Sequence, residues 1–165
     1  MMGANIELTD KPAVGDEPIA DIRVRGGDLH GIDIPEHLVP LAIDEFPVLF
    51  VAAAAARGRT KVSGAAELRV KESDRIAVMA AGLQALGVDA TATPDGMLIN
   101  GQQEFGGATI DSQGDHRIAM AFAIAAIRAT KPVHLLGCGA IATSFPNFAA
   151  LASDCGIQLS AAVRA

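Results

Sequence analysis

Nine consecutive residues, Glu67-Leu68-Arg69-Val70-Lys71-Glu72-Ser73-Asp74-Arg75, carry six charged side chains in a chain that is 19% charged and half hydrophobic. A second polar cluster, Asp111 to Arg117, ends in Asp115-His116-Arg117 and also runs straight into an apolar helical pattern. Helix N-termini already attract anions through free N–H groups and the helix dipole, so cations placed there describe a seat for a small anionic molecule. The competing account is structural. Ser73 with Asp74 behind it is an ordinary N-cap and first turn, and a charged loop ahead of a helix can simply be solvated.

The elements that must hold these residues are legible from periodicity. Asp44 and Glu45 stand before Phe46 to Ala56, an apolar run closed by Arg57-Gly58, which has the charge polarity of a helix. Ile118 to Ile127 is a second wholly apolar helix, and both are expected to be enclosed on every side. From Ser73, the spacing of Ile76, Met79, Ala80, Leu83 and Leu86 predicts an amphipathic helix ending at Gly87, lying outside a sheet. A last helix is expected to open at Ser144-Phe145-Pro146 and to end at Gly156.

Strands are predicted at 5–8, 22–25, 32–34, 60–62, 88–93, 97–99, 108–110 and 132–136, with Phe105 in a further short one. A final strand is expected at Ile157-Gln158-Leu159 before a frayed tail, and a loop at Asp10 to Pro18. Met1-Met2-Gly3-Ala4 resembles the last turn of a helix, so the chain is expected to be part of something longer.

The two halves superpose at an offset of 71 residues: Asp44 falls on Asp115, Gly58 on Ala129 and Ser73 on Ser144. Each unit reads buried helix, strand, loop, amphipathic helix, glycine, strand, and Gly3 with the strand after it reads as the tail of a third unit. Such units cannot bury their faces singly and must share a core, with helices inside and sheets outside. Asp44 and Asp115-His116-Arg117 then occupy the same place in the repeat. The mate of Lys71 to Arg75 is Ala142-Thr143-Ser144-Phe145-Pro146, which is uncharged. A structural role would tend to recur in both copies, so charge confined to one copy favours function.

Composition narrows the rest. The chain of 165 residues is long enough for one domain, and none of its apolar runs approaches the ~20 residues of a membrane span. A net charge of -6 with neither Trp nor Tyr disfavours a nucleic-acid partner. Cys138 and Cys155 sit at no metal-binding spacing and predict reduced thiols in the cytoplasm.

Four motifs in order, Ile43-Asp44-Glu45, Leu68 to Arg75, Asp115 to Met120 and Thr143-Ser144-Phe145-Pro146, closely resemble the 5-enolpyruvylshikimate-3-phosphate synthase family. The resemblance runs from Met1 to about Leu159, and family members are more than twice as long. It implies most of the C-terminal domain of a two-domain enzyme, without the N-terminal domain. Each domain of the family is an α/β prism of three βαβαββ units with buried parallel helices, in agreement with the repeat.

The implied reaction moves the enolpyruvyl group of phosphoenolpyruvate to the 5-hydroxyl of shikimate 3-phosphate and releases phosphate, with no metal and no cofactor. By resemblance, Asp44 is the proton acceptor near the hydroxyl and Glu72 handles the methylene proton. Lys71 contacts shikimate 3-phosphate, while Arg75 and Arg117 hold phosphoenolpyruvate with His116 beside them. The implied partners are small anionic substrates and the N-terminal domain of the same enzyme. Thr143 departs from the pattern, because some members place a phosphate-binding lysine there. Asp74 reads as a helix acid, and Glu45, Glu67 and Arg69 as structural charges. A transferase acting on a UDP-amino-sugar and a non-catalytic prism module are the alternatives.

Overall fold

The computed structural model describes residues 1–15 and 17–160. A long antiparallel hairpin opens the chain, β1 (Asn5–Val14) and β2 (Glu17–Arg25), with Ile6 opposite Val24 and Leu8 opposite Ile22. The loop expected over Asp10 to Pro18 is therefore mostly strand. Proline is tolerated because a two-stranded ribbon consists only of edges, and the register is irregular between Lys11 and Val14, where Pro12 lies. The first four residues form no helix, but Gly3 has φ +89°, matching Gly87 and Gly156 at +86°. Gly156 falls within two residues of the position 71 beyond Gly87, and all three glycines take the left-handed conformation that favours this residue.

Two βαβ units follow. In the first, the extended segment 29–34 pairs in parallel with β3 (Gly58–Val62) through Gly31 N to Arg57 O and Ile34 N to Lys61 O. Between them stands α1 (Phe46–Ala55). The amphipathic helix α2 (Arg75–Ala85) leads to the hairpin β4 (Asp89–Thr93) and β5 (Gly96–Gly101), and β5 docks on β3 to give the sheet order β3-β5-β4. In the second, Phe105 bridges to Ala129, and β6 (Thr109–Asp111) pairs in parallel with β7 (His134–Leu136) across α3 (His116–Ala125). The short α4 (Ile141–Ser144) and α5 (Phe148–Asp154) close the chain.

Phe46, Phe50, Leu68, Ile76, Met79, Leu83, Met97, Ile99, Ile118 and Phe122 form one buried core among these helices and the inner faces of the sheets. On α2, Gly82 faces the ring of Phe122 from α3, and a Cβ there would lie 2.2 Å from its Cζ. A residue without a side chain lets the two helices approach, which brings Arg75 at the head of α2 to Asp115 at the head of α3.

Four further expectations are corrected. The apolar helices are not enclosed all round: Val48 of α1 and Met120 and Ile124 of α3 line an open groove of about 410 Å³. Ser144 ends α4 rather than opening the last helix, since Pro146 separates it from α5. Residues 157–159 form no strand ladder among the described residues: the sheets β1-β2, β3-β5-β4 and β6-β7 do not include them. The cap of α2 is Asp74 rather than Ser73, with its Oδ1 accepting from Ala77 N at 2.9 Å. The expected frayed tail, 161–165, lies outside the described residues. Among those described, no helix is long and apolar enough to cross a membrane.

Candidate functional site

Both apolar helices begin at one place, because Arg117 on the first turn of α3 donates from Nη1 to the backbone oxygen of Asp44 at 2.9 Å. α2 starts there too. Its first residue, Arg75, is 1% exposed, and burying a guanidinium demands that its donors be met by carboxylates. Nε donates to Asp115 Oδ2 at 2.8 Å, Nη1 to Asp44 Oδ1 at 3.0 Å, and Nη2 to Glu72 Oε2 and, at 3.5 Å, to Asp115 Oδ1. One planar cation thus gathers carboxylates from three segments, a task suited to the rigid fork of Arg and not to Lys.

The three carboxylates differ in what they can do. Asp115 is fully buried, caps α3 by accepting from Arg117 N at 3.0 Å, and also accepts from Ser73 Oγ at 3.1 Å. Burial pushes its carboxyl up, but Arg75, the Arg117 amide and Ser73 together hold it below the ordinary range. Asp44 and Glu72 are 46% and 53% exposed and open to a ligand. For Asp44 burial again acts upward, and the charge of Lys71 with hydrogen bonds from Arg75 and Lys71 outweighs it, so the carboxyl stays ionised to lower pH.

Lys71 Nζ stands 3.5 Å from Asp44 Oδ1 and 2.5 Å from Glu67 Oε1, and the Glu67 bond is the main reason its ammonium is held above the usual range. Arg117 pairs with Glu45 Oε1 at 2.7 Å. His116 lines the groove beside Asp44 and Arg117, and among the described residues its ring joins no ion pair or side-chain hydrogen bond. Asp44, Lys71, Glu72, Arg75 and Arg117 are therefore brought together, with His116 at the rim. Sequence reasoning gave no role to Asp115, although its place opposite Asp44 in the repeat marked it. Ser73, expected as an N-cap, donates instead to Asp115, while Glu45 and Glu67, expected as structural charges, pair with Arg117 and Lys71.

The family model for EPSP synthase (3-phosphoshikimate 1-carboxyvinyltransferase) matches residues 1–151. The chain belongs to the EPSP synthase family. It is 59% identical over 160 residues to a 3-phosphoshikimate 1-carboxyvinyltransferase of Alkalilimnicola ehrlichii, covering 97% of this chain and 36% of the relative. Identity is 60% over 158 residues to the one of Methylococcus capsulatus, covering 96% and 36%. A solved EPSP synthase from Acinetobacter baumannii superposes with a TM-score of 0.91 at 50% identity, covering 95% of this chain and 37% of that one. The chain thus spans little more than a third of the length of these EPSP synthases. At Thr143, where some members of the family carry lysine, the hydroxyl donates back to Ala140 O at 2.9 Å within α4.

Proposed function

We propose that this chain supplies one wall of an enolpyruvyl transfer site, moving the enolpyruvyl group of phosphoenolpyruvate to the 5-hydroxyl of shikimate 3-phosphate. In this reading it forms most of the C-terminal domain of a two-domain cytoplasmic enzyme, and the N-terminal domain supplies the opposing wall. The observation that carries the reading is the Arg75 hub, which holds two solvent-reachable carboxylates, Asp44 and Glu72, beside Lys71 at the head of α2.

The reaction needs this set. Bond formation between the 5-oxygen and C2 of phosphoenolpyruvate releases the hydroxyl proton, and Asp44, held ionised by its cationic neighbours, is suited to accept it. The methylene carbon must gain a proton as that bond forms and return it as the C2–phosphate bond breaks, because the product keeps a vinyl group. Glu72 in its acid form would give that proton and retake it, and the hydroxyl proton taken by Asp44 would pass to the departing phosphate. Lys71 would hold shikimate 3-phosphate. Arg117, restrained by exposed Glu45 and a backbone carbonyl, can exchange Glu45 for the carboxylate or phosphate of phosphoenolpyruvate, with His116 next to it. Arg75 would hold the same ligand together with Arg117, while its guanidinium also orders Asp44, Glu72 and Asp115.

The test joins this chain to the preceding portion of the Alkalilimnicola ehrlichii relative and measures phosphate release from phosphoenolpyruvate. Release that requires shikimate 3-phosphate is expected. Release that instead follows a UDP-amino-sugar, or none with either acceptor in a folded protein, overturns the reading.

A further inference from the structure

We propose that Arg69 is a positioning residue, whose guanidinium closes the arc Val70–Ser73 and fixes where Lys71 and Glu72 stand. The assignment of those two residues to catalysis and binding rests on the function proposed above, whereas the brace itself rests on geometry.

Arg69 sits in a 3-10 turn, Ala66–Val70, anchored by the buried Leu68. Its Nε donates to Pro94 O at 2.7 Å and its Nη2 to Thr93 O at 2.5 Å, both in the turn between β4 and β5. Nη1 donates to Asp74 Oδ2 at 2.7 Å, while Asp74 Oδ1 caps α2 through Ala77 N. One side chain therefore ties the start of the arc to its end and to a rigid hairpin. The same turn grips the segment from the other side, since Asp95 Oδ2 accepts from Gly64 N at 2.8 Å and Asp95 O from Ala65 N at 2.7 Å.

Residues 71–74 have no regular secondary structure, and Val70 is 80% exposed, so no apolar anchor holds the arc in place. Its remaining fixed points are Ser73 on Asp115 and the two site side chains themselves. The positions 71 residues beyond Arg69 and Asp74 are Ala140 and Phe145, so the repeat copy without the charged arc also lacks the clamp. A brace needed only to hold the fold of a unit would be wanted in both copies.

The test is a double-mutant cycle in the joined enzyme, with hydrogen exchange on this chain. Arg69→Gln should lower turnover about 10- to 100-fold, the range a displacement of ~1 Å produces, with the KM for phosphoenolpyruvate changed less than about threefold. Arg69→Lys, which keeps the charge but not the fork, should recover little of it. In a Glu72→Gln background, at saturating shikimate 3-phosphate so that the contact of Lys71 is already filled, Arg69→Gln should lower turnover no more than about twofold, because the proton-handling group it positions is already gone. The control is Arg128→Gln, which removes a similar arginine clamp on Gln103 O far from the site and should leave turnover within about twofold. Equal losses in both backgrounds would overturn the proposal. So would unchanged exchange over residues 66–75 in Arg69→Gln, whatever the enzyme's activity. An inactive parent with faster exchange in that segment would instead sink the functional reading and leave the brace standing.

Discussion

Asp44 and Asp115, repeat mates 71 positions apart, hold one guanidinium between them: Arg75 donates Nη1 to the first at 3.0 Å and Nε to the second at 2.8 Å. The internal duplication thus converges on a single residue that has no charged counterpart in the second unit, where Pro146 stands. Of the two aspartates, Asp115 is sealed in the core and the side chain of Asp44 stays 46% exposed.

Removing the buried carboxylate should therefore be costly and pH-dependent. Asp115→Ala leaves Arg75 buried without its main partner, a loss of ~3–5 kcal/mol in urea denaturation. Both aspartates have folded pKa values below the unfolded ones, so the unfolded chain binds more protons as pH falls. Their stabilisation is present above about pH 4 and is lost as pH drops through the folded values. Denaturation from pH 7 to pH 2 should be flat down to ~pH 5 and fall below it, with a shallower acid limb in Asp115→Asn.

Arg75 and Arg117 should separate by substitution in the joined enzyme. Arg117→Ala removes an exchangeable cation and should chiefly raise the KM for phosphoenolpyruvate. Arg75→Ala strands three carboxylates, so it should lower both thermal stability and turnover. Asp44→Asn and Glu72→Gln keep shape but lose an ionisable group, and should lower turnover ~100-fold or more while changing ligand affinity less. Equal kinetic defects for the two arginines, without a difference in stability, would contradict the hub.

Gly82→Ala tests the approach of α2 to α3. Helix propensity favours alanine by ~1 kcal/mol, while crowding Phe122 costs typically 1–3 kcal/mol, so the net change should be destabilising. A thermal midpoint at or above the parent's would show that the ring gives way freely.

The chain alone should show no measurable turnover, because water-excluding closure needs a second wall; activity near an ordinary ~10 per second would refute this. It should also self-associate. Ile6, Leu8, Ile22 and Val24 share one face of the β1–β2 hairpin and are each more than half exposed. Sedimentation should show concentration-dependent oligomers, reduced by Leu8→Lys with Ile22→Lys. A clean monomer at all concentrations would contradict the expectation.

Much of this protein follows from its sequence because the signals are local or periodic. The apolar runs before Ala56 and Ile127, the spacing of Ile76 to Leu86 and the glycines at 87 and 156 mark helices and their ends through interactions within a few residues. The repeat then predicts which helix N-termini meet, and the charged arc's uniqueness points to the site. What only the tertiary structure decided depends on partners far apart in the chain. Arg75 resembles in sequence a cation that holds the ligand, and only the tertiary structure adds that its guanidinium joins Asp44, Glu72 and Asp115. Arg69 reads as an ordinary surface charge until Thr93 and Pro94, some 25 residues away, present their carbonyls to it. Residues 157–159 have strand composition but no ladder, because a strand is defined by the neighbour it pairs with, and composition cannot supply that neighbour.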